Sequence, residues 1–251
     1  MKESKSPLSV AIITKNEEEM LPDCLNSVSF ADDVVVVDSG STDNTVEIAQ
    51  DFGARTFIEE WKGYGPQKNS AVSKCKHDWV LIIDADERIP SETKEVILKI
   101  LTNPFSDAYS FPRKNFFHGK WIKHCDWWPD ETVRLVRKNL GRFKNITHEK
   151  WVTEGKVAKL NTPIEHYSFR RYSDMLRVLE NRTTAMAEEL FKEGKRVNPL
   201  TPFIDGIFMF LKIYILKLGF LDGFDGFVIA LSRAVGVFFK YAKLLELQRK
   251  K

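Results

Sequence analysis

The chain has 251 residues, of which 43% are hydrophobic and 29% charged, with a formal net charge of +3. That length suits one good core or a large domain with a smaller appendage, and the charged fraction argues against a polytopic membrane protein. The small charge and the lack of any RNA- or DNA-binding signature exclude nucleic acid as an expected partner.

Cys24, Cys75 and Cys125 stand about fifty residues apart without the paired spacing of a zinc site, which fits a reducing compartment. The polar N-terminus is followed by an apolar run over 10–13 only, too short for a signal-peptide core, so a cytoplasmic location is expected.

The first hundred residues alternate short apolar runs with helix-period segments. Residues 8–14 read as a strand. Residues 16–28 read as a helix, with Leu21, Leu25 and Val28 at helical spacing and Glu17, Glu18 and Glu19 in the first turn, where the helix dipole favours anions. Residues 33–38 hold four consecutive valines, the pattern of a strand buried on both faces of a parallel sheet. A helix over 42–52 with Gly53 at its end, a strand over 55–58, a helix over 66–76 and a strand over 79–84 continue the rhythm. Pro90 and Ser91 then start a helix to about Leu101. Such alternation means βαβ units and a doubly wound sheet.

After Asn103 the pattern changes. Residues 108–112 and 132–136 are predicted strands, separated by a loop rich in aromatics that includes Phe116, Phe117, Trp121, Trp127 and Trp128. From Tyr172 onward the chain is nearly all helical. An α/β domain over 1–168 is therefore expected, followed by a helical region over 169–251.

In open α/β sheets ligands sit outside the carboxyl ends of the strands. Three such ends carry polar groups. Thr14, Lys15, Asn16 and Glu17 follow the first strand, residues 38–43 (Asp-Ser-Gly-Ser-Thr-Asp) the second, and Asp84, Ala85 and Asp86 the fourth. Aspartates at i and i+2 leave an extended chain on the same side. Such a pair can hold a divalent cation that also takes diphosphate oxygens and screens the charge on a departing diphosphate. An Asp-favoured turn is the plainer reading, but the other strand ends pointing to the same crevice favour the metal.

The run Ser9-Val-Ala-Ile-Ile-Thr-Lys-Asn-Glu17, then Val-Val-Val-Asp38-Ser-Gly-Ser-Thr-Asp43, then Gln67-Lys-Asn-Ser-Ala71, then Leu-Ile-Ile-Asp84-Ala-Asp86-Glu closely resembles the family-2 glycosyltransferases of the GT-A fold. The resemblance implies a Rossmann-like, doubly wound and mainly parallel sheet. It further implies a UDP-sugar donor and a divalent metal, either Mg or Mn, since both accept oxygen ligands. Thr14, Asn16, Glu17 and Asp38 would line the nucleotide pocket, with Asp38 near the base and Lys68 near the nucleotide or diphosphate. Asp84 and Asp86 would be the Asp-X-Asp pair, Asp86 the more direct metal ligand. Lys68 is a point charge suited to phosphate; a solvated helix lysine is the alternative.

Family-2 enzymes invert the anomeric centre by direct displacement, with one carboxylate taking the acceptor proton. The best match to the family's acidic motif is Trp127-Trp-Pro-Asp130-Glu131-Thr-Val-Arg134-Leu. Asp130 is the favoured base and Glu131 the second candidate, because the order departs from the commoner Glu-Asp. Trp127 and Trp128 read as an acceptor platform or as core. Arg134 and Arg137 face a phosphate or water. His148 and His166 are candidates for a third metal ligand or for orienting a diphosphate, with a structural role as the alternative.

The segment 203–220 is strongly apolar but interrupted by Asp205, Lys212 and Lys217, and 224–247 carries Arg233, Lys240 and Lys243. Neither gives the ~20 unbroken apolar residues of a span. In the second, Arg233 and Lys240 share a face opposite Phe227, Leu231, Phe238 and Leu245. That suits a helix in a membrane interface; packing on the catalytic domain or a second copy is the alternative. The stretch 213–227, with His148-Glu149 and His166-Tyr167-Ser168, is similar to the subgroup that builds the lipopolysaccharide inner core, adding glucose from UDP-glucose to the first heptose. The implied partners are a lipid-linked core saccharide, the inner face of a bacterial inner membrane, and a second copy in a homo-oligomer. Rival readings are a polyprenyl phosphate, capsule or protein acceptor, or a non-catalytic nucleotide- or membrane-binding scaffold. A phosphohydrolase would end its first strand in aspartates, and a nicotinamide enzyme would want a Gly-X-Gly-X-X-Gly turn there.

Overall fold

Consecutive valines are stable in a strand only where apolar layers cover both of its sides. In the computed structural model, which describes residues 5–144, 149–169 and 171–249, β2 (Asp33–Asp38) occupies that place. Val36 joins a core with Val10, Ile12, Leu81 and Ile83, while Val35 and Val37 join a second core with Ala11, Val80 and Ile82. Alternating residues thus feed opposite faces of one sheet.

Around β2 lie β1 (Leu8–Thr14), β3 (Arg55–Ile58) and β4 (Trp79–Asp84), paired in parallel in the order β3-β2-β1-β4. Helices α1 (Leu21–Ser27), α2 (Thr45–Asp51) and α4 (Ser91–Thr102) send Leu21, Ala49 and Ile97 into the first core. Helix α3 (Tyr64–Lys74) covers the other face with Ala71 and Val72. All four parallel strands therefore point their carboxyl ends to one edge, where the acidic loops emerge.

Beyond β4 the sheet turns antiparallel. Strand β8 (Asp130–Arg137) pairs with β4, β6 (Ala108–Phe117) pairs with β8, and β5 (Glu87–Arg88) closes the order beside β12 (Ile164–Phe169). The register of β6 on β8 slips by one residue: Tyr109 faces Leu135 and Ser110 faces Val133, so Arg134 is the extra residue of a bulge. Strands β7 (Lys120–Trp121) and β11 (Val157–Lys159) pair with β6, and β9 (Gly141–Lys144) with β10 (Lys150–Thr153) forms a separate hairpin.

Contacts divide the chain into two units, Met1–Arg113 with Asp130–His166, and Lys114–Pro129 with Tyr167–Lys251. The aromatic loop expected in the first domain thus belongs with the helices. Trp127 is core there, packed with Phe117, Ile122, Met175 and Ile213. The second unit contains α5 (Tyr172–Lys192), α6 (Thr201–Leu211) and α7 (Phe224–Arg249). A π-helical turn (Lys212–Leu216) and a 3-10 turn (Gly219–Asp222) join α6 to α7.

The glycines of this joint have distinct reasons. Gly223 has φ of +68°, open to glycine at little cost. A methyl on Gly226 would collide with the carbonyl of Gly219. Gly226→Ala is expected to cost about 2 kcal/mol and lower the melting temperature. Gly236→Ala on the same helix, where the methyl would meet only Leu179 at 3.8 Å, is expected to leave stability unchanged or raise it by up to ~1 kcal/mol. Equal losses in the two variants would contradict this packing.

Candidate active site

The loops after β1 and β2 are laced together. Asp38 is fully buried, and its Oδ1 accepts the N–H groups of Gly40 (2.9 Å) and Ser41 (2.7 Å). Its Oδ2 accepts the hydroxyls of Thr14 (2.9 Å) and Ser41. Asn16, at φ of +56°, accepts the Thr42 N–H at 2.8 Å and donates its own N–H to Ser41 Oγ at 2.8 Å. The Glu17 N–H donates to Thr45 Oγ1 at 2.7 Å. Residues 16–19 and 42–44 are thereby drawn into loop structure, and α1 and α2 start at Leu21 and Thr45 rather than at 16 and 42.

At the end of β4 the charges are buried and must be paired. Asp84 meets Lys68 Nζ at 2.8 Å through one oxygen and Arg134 at 2.6 Å through the other. Lys68, only 3% exposed, also pairs with Glu149 at 2.9 Å, so it is not a solvated helix lysine. Arg134, 2% exposed, bridges on to Glu87 at 2.5 Å. Glu87 is fully buried, accepts the Asp84 N–H at 2.9 Å and meets Arg113 at 3.4 Å. Arg113 ends the chain of charges on Asp130 at 2.5 Å. Burial favours the neutral acid at Asp84, yet Arg134 and Lys68 outweigh it and hold that carboxyl well below the usual carboxylate range.

Asp86 has a different partner, His166 Nε2 at 3.2 Å. Burial pulls the imidazole's pKa down, but the Asp86 carboxylate more than offsets this and raises it above its ordinary value of 6.5. Among the described residues no group of three or more His, Cys, Asp or Glu side chains is arranged to hold a metal by itself. A partly exposed carboxylate at a strand end with an imidazole beside it nevertheless has the donor chemistry for a divalent cation whose remaining ligands are diphosphate oxygens. With both Asp84 oxygens engaged, that chemistry centres on Asp86.

Asp130 and Glu131 separate. Asp130 lies opposite Arg113 in the register and joins the charge chain; Glu131 lies opposite Pro112 and accepts the Ser110 hydroxyl at 3.2 Å. Adjacent strand residues face opposite sides. Arg137 pairs with Asp78 at 3.0 Å and covers the ring of Trp79. His148 lies outside the described residues. Glu87, Arg113 and Glu149 are the site residues that motif reading missed. Two of them stood inside the sequence motifs without a role, Glu87 directly after Asp-X-Asp and Glu149 in the His148-Glu149 pair.

A glycosyl transferase family 2 model matches residues 9–169. The chain is 34% identical to an uncharacterized glycosyltransferase of Rickettsia typhi, over 97% of this chain and 88% of that one. It is 29% identical to the lipopolysaccharide core biosynthesis glycosyltransferase LpsC of Rhizobium meliloti, over 96% and 93%. Among solved structures, S. aureus TarS 1-349 in complex with UDP aligns over 98% of this chain and 92% of that one, with TM-score 0.49 and 16% identity.

Two outcomes test the charge chain. Arg134→Met takes from buried Glu87 its closest cation, leaving Arg113 at 3.4 Å and the Asp84 N–H, and is expected to cost about 3–5 kcal/mol in urea unfolding, part of which Glu87→Gln should restore. An unchanged midpoint would remove Arg134 from the framework. Because the folded pKa of His166 is raised, its pairing with Asp86 contributes stability fully below about pH 6.5 and loses it as pH rises through the folded value. The stability gap between the native protein and His166→Gln, measured in EDTA, should therefore narrow from pH 6 to pH 8.

Proposed function

Since this chain belongs to glycosyl transferase family 2 and has the GT-A fold, we propose that it transfers a hexose, glucose in our reading, from a UDP-sugar to the heptose of a lipopolysaccharide inner core, with inversion at the anomeric carbon. The observation that carries this reading is the Asp84/Asp86 pair at the end of β4, tied through Arg134, Glu87 and Arg113 to Asp130. The resemblance to LpsC, a lipopolysaccharide core biosynthesis glycosyltransferase, supports the acceptor. No described helix is long and apolar enough to cross a membrane. The enzyme would therefore meet a lipid-linked acceptor from the surface, in our reading the cytoplasmic face of the inner membrane.

In the proposed reaction the laced loops at Thr14, Asn16, Glu17 and Asp38 shape the nucleotide pocket. Asp38, buried under four internal bonds, serves by holding residues 39–42 in place. Lys68 and Arg134 keep Asp84 ionised and fixed. Asp130, oriented by Arg113, takes the proton of the acceptor hydroxyl as its oxygen bonds to the anomeric carbon and the UDP oxygen departs with the bonding pair. A divalent cation at Asp86, with His166 beside it, would supply positive charge to the departing diphosphate.

The test is transfer of label from UDP-glucose, with other UDP-hexoses in parallel, to lipopolysaccharide truncated at heptose. Label is expected from UDP-glucose, abolished by EDTA and by Asp86→Ala, and reduced about 10²–10⁴-fold by Asp130→Asn. Glu131→Gln should retain most activity; the reverse order of these two losses would move the base to Glu131. No transfer from any UDP-sugar by folded protein would sink the assignment.

A further inference from the structure

The sequence pattern points to α7 as the membrane-facing helix, but the structure packs α7 against its neighbours. Phe203 and Phe210 of α6 meet Phe238 and Phe227 of α7 with ring centroids 5.1 and 5.8 Å apart, and Lys243 pairs with Glu180 of α5 at 2.9 Å. Gly206 turns the inner face of α6 toward the Ala234 carbonyl. The outer face of α6 and the turns after it are left uncovered. Ile207, Phe208, Leu216, Leu221 and Phe224 are 57–70% exposed, within an otherwise similar run of exposed Phe, Ile and Leu from Phe203 onward. An apolar ridge of this extent marks a membrane or protein contact.

Charge chooses between them. Lys114–Pro129 with Tyr167–Lys251 holds 18 of the chain's 38 Lys and Arg and 10 of its 35 Asp and Glu, a formal charge of +8. The other unit, with 20 against 25, carries −5. A second copy docked on this face through a two-fold axis would oppose two units of +8, which disfavours association. An anionic lipid surface has the complementary sign. Lys212 lies within the ridge, where a long cationic side chain reaches headgroups while its stem stays apolar; Lys217 beside it is paired with Asp126 at 2.8 Å. The 11 residues of α6 span ~16 Å against a hydrocarbon core of ~30 Å, so the helix is too short to cross.

We propose that the outer face of α6, with residues 212–224, lies in the headgroup layer of an anionic membrane, α6 in the plane of the surface. This deepens the reading of a lipid-linked acceptor by assigning the surface that brings the protein to it.

The test is co-sedimentation of the full chain with vesicles of phosphatidylcholine alone or mixed with phosphatidylglycerol, beside light scattering without vesicles. The expected result is binding to the mixed vesicles, weakened by salt. It should fall at least about tenfold in Ile207→Ser/Phe208→Ser/Leu216→Ser and persist in Leu176→Ser, an equally exposed position on α5. Circular dichroism and melting confirm that each variant is folded. Undiminished binding of the triple variant overturns the assignment, as does a native protein that ignores the mixed vesicles. A dimer in light scattering that the triple variant breaks, without vesicle binding, would give the face to a second copy instead. The vesicles hold neither sugar donor nor acceptor. Binding without transfer, or transfer to a soluble acceptor without binding, therefore separates this inference from the proposed reaction.

Discussion

A buried arginine with two carboxylates holds the centre of this molecule. Arg134 reaches Asp84 on one side and Glu87 on the other, and Glu87 has no exposed surface at all. Ions so placed are tolerated only when their partners are in position, because desolvation of each costs several kcal/mol that pairing must offset. Strands β4, β5, β6 and β8 must therefore all be assembled before every one of these charges is satisfied. The bulge at Arg134 is what lets a strand otherwise filled by Leu135 and Val136 deliver a guanidinium to the end of β4. The same network fixes the acid candidates in different states of engagement. Asp84 is saturated by Lys68 and Arg134, Asp130 is held by Arg113, and Asp86 keeps a partner, His166, that can itself ligate a cation. A division of labour between two aspartates two residues apart follows from their neighbours rather than from their own chemistry.

The proposed nucleotide side depends on a different device. The loops after β1 and β2 hold each other by side-chain to backbone bonds: Asp38 under residues 40–41, Asn16 against Thr42, Thr45 against Glu17. Polar side chains that satisfy loop N–H groups compete with helix formation, so both following helices begin late. The rigidity this gives suits a pocket whose contacts are made largely by backbone and short polar groups.

Most of the parallel half was legible in the sequence because its signal is local. Valines at 34–37 and the apolar runs over 8–14 and 79–84 can be buried only one way, and the strands have the bounds that these runs predict. What escaped depends on distant partners. Strands β9 to β11 are short and carry lysines and a tryptophan without clean alternation, so only pairing reveals them. Lys68 reads on paper as a surface lysine, and its burial comes from Glu149, 81 residues away. Arg134 and Arg137 fall on opposite faces by strand period, but the period does not say which face holds buried carboxylates; Arg134 meets Asp84 while Arg137 pairs with Asp78. Trp127 and Trp128 are adjacent and identical in kind. The first enters the core of the helical unit, whereas the second remains half-buried edge-on to Trp121 at 5.3 Å.

The helical unit shows the same limit from the opposite direction. Hydrophobic periodicity marks α6 and α7 alike as having apolar faces, but it cannot say which face finds a partner. Small residues decide that here. Gly206 lets α6 approach the Ala234 carbonyl, and Gly226 lets the start of α7 close on Gly219. Close backbone approach buries Ile229, Ala230 and Ala234 on one face of α7. Apolar residues on the other side of α6, such as Ile207 and Phe208, stay exposed. In this unit glycine placement, more than hydrophobic content, determines which apolar surface is core and which faces outward.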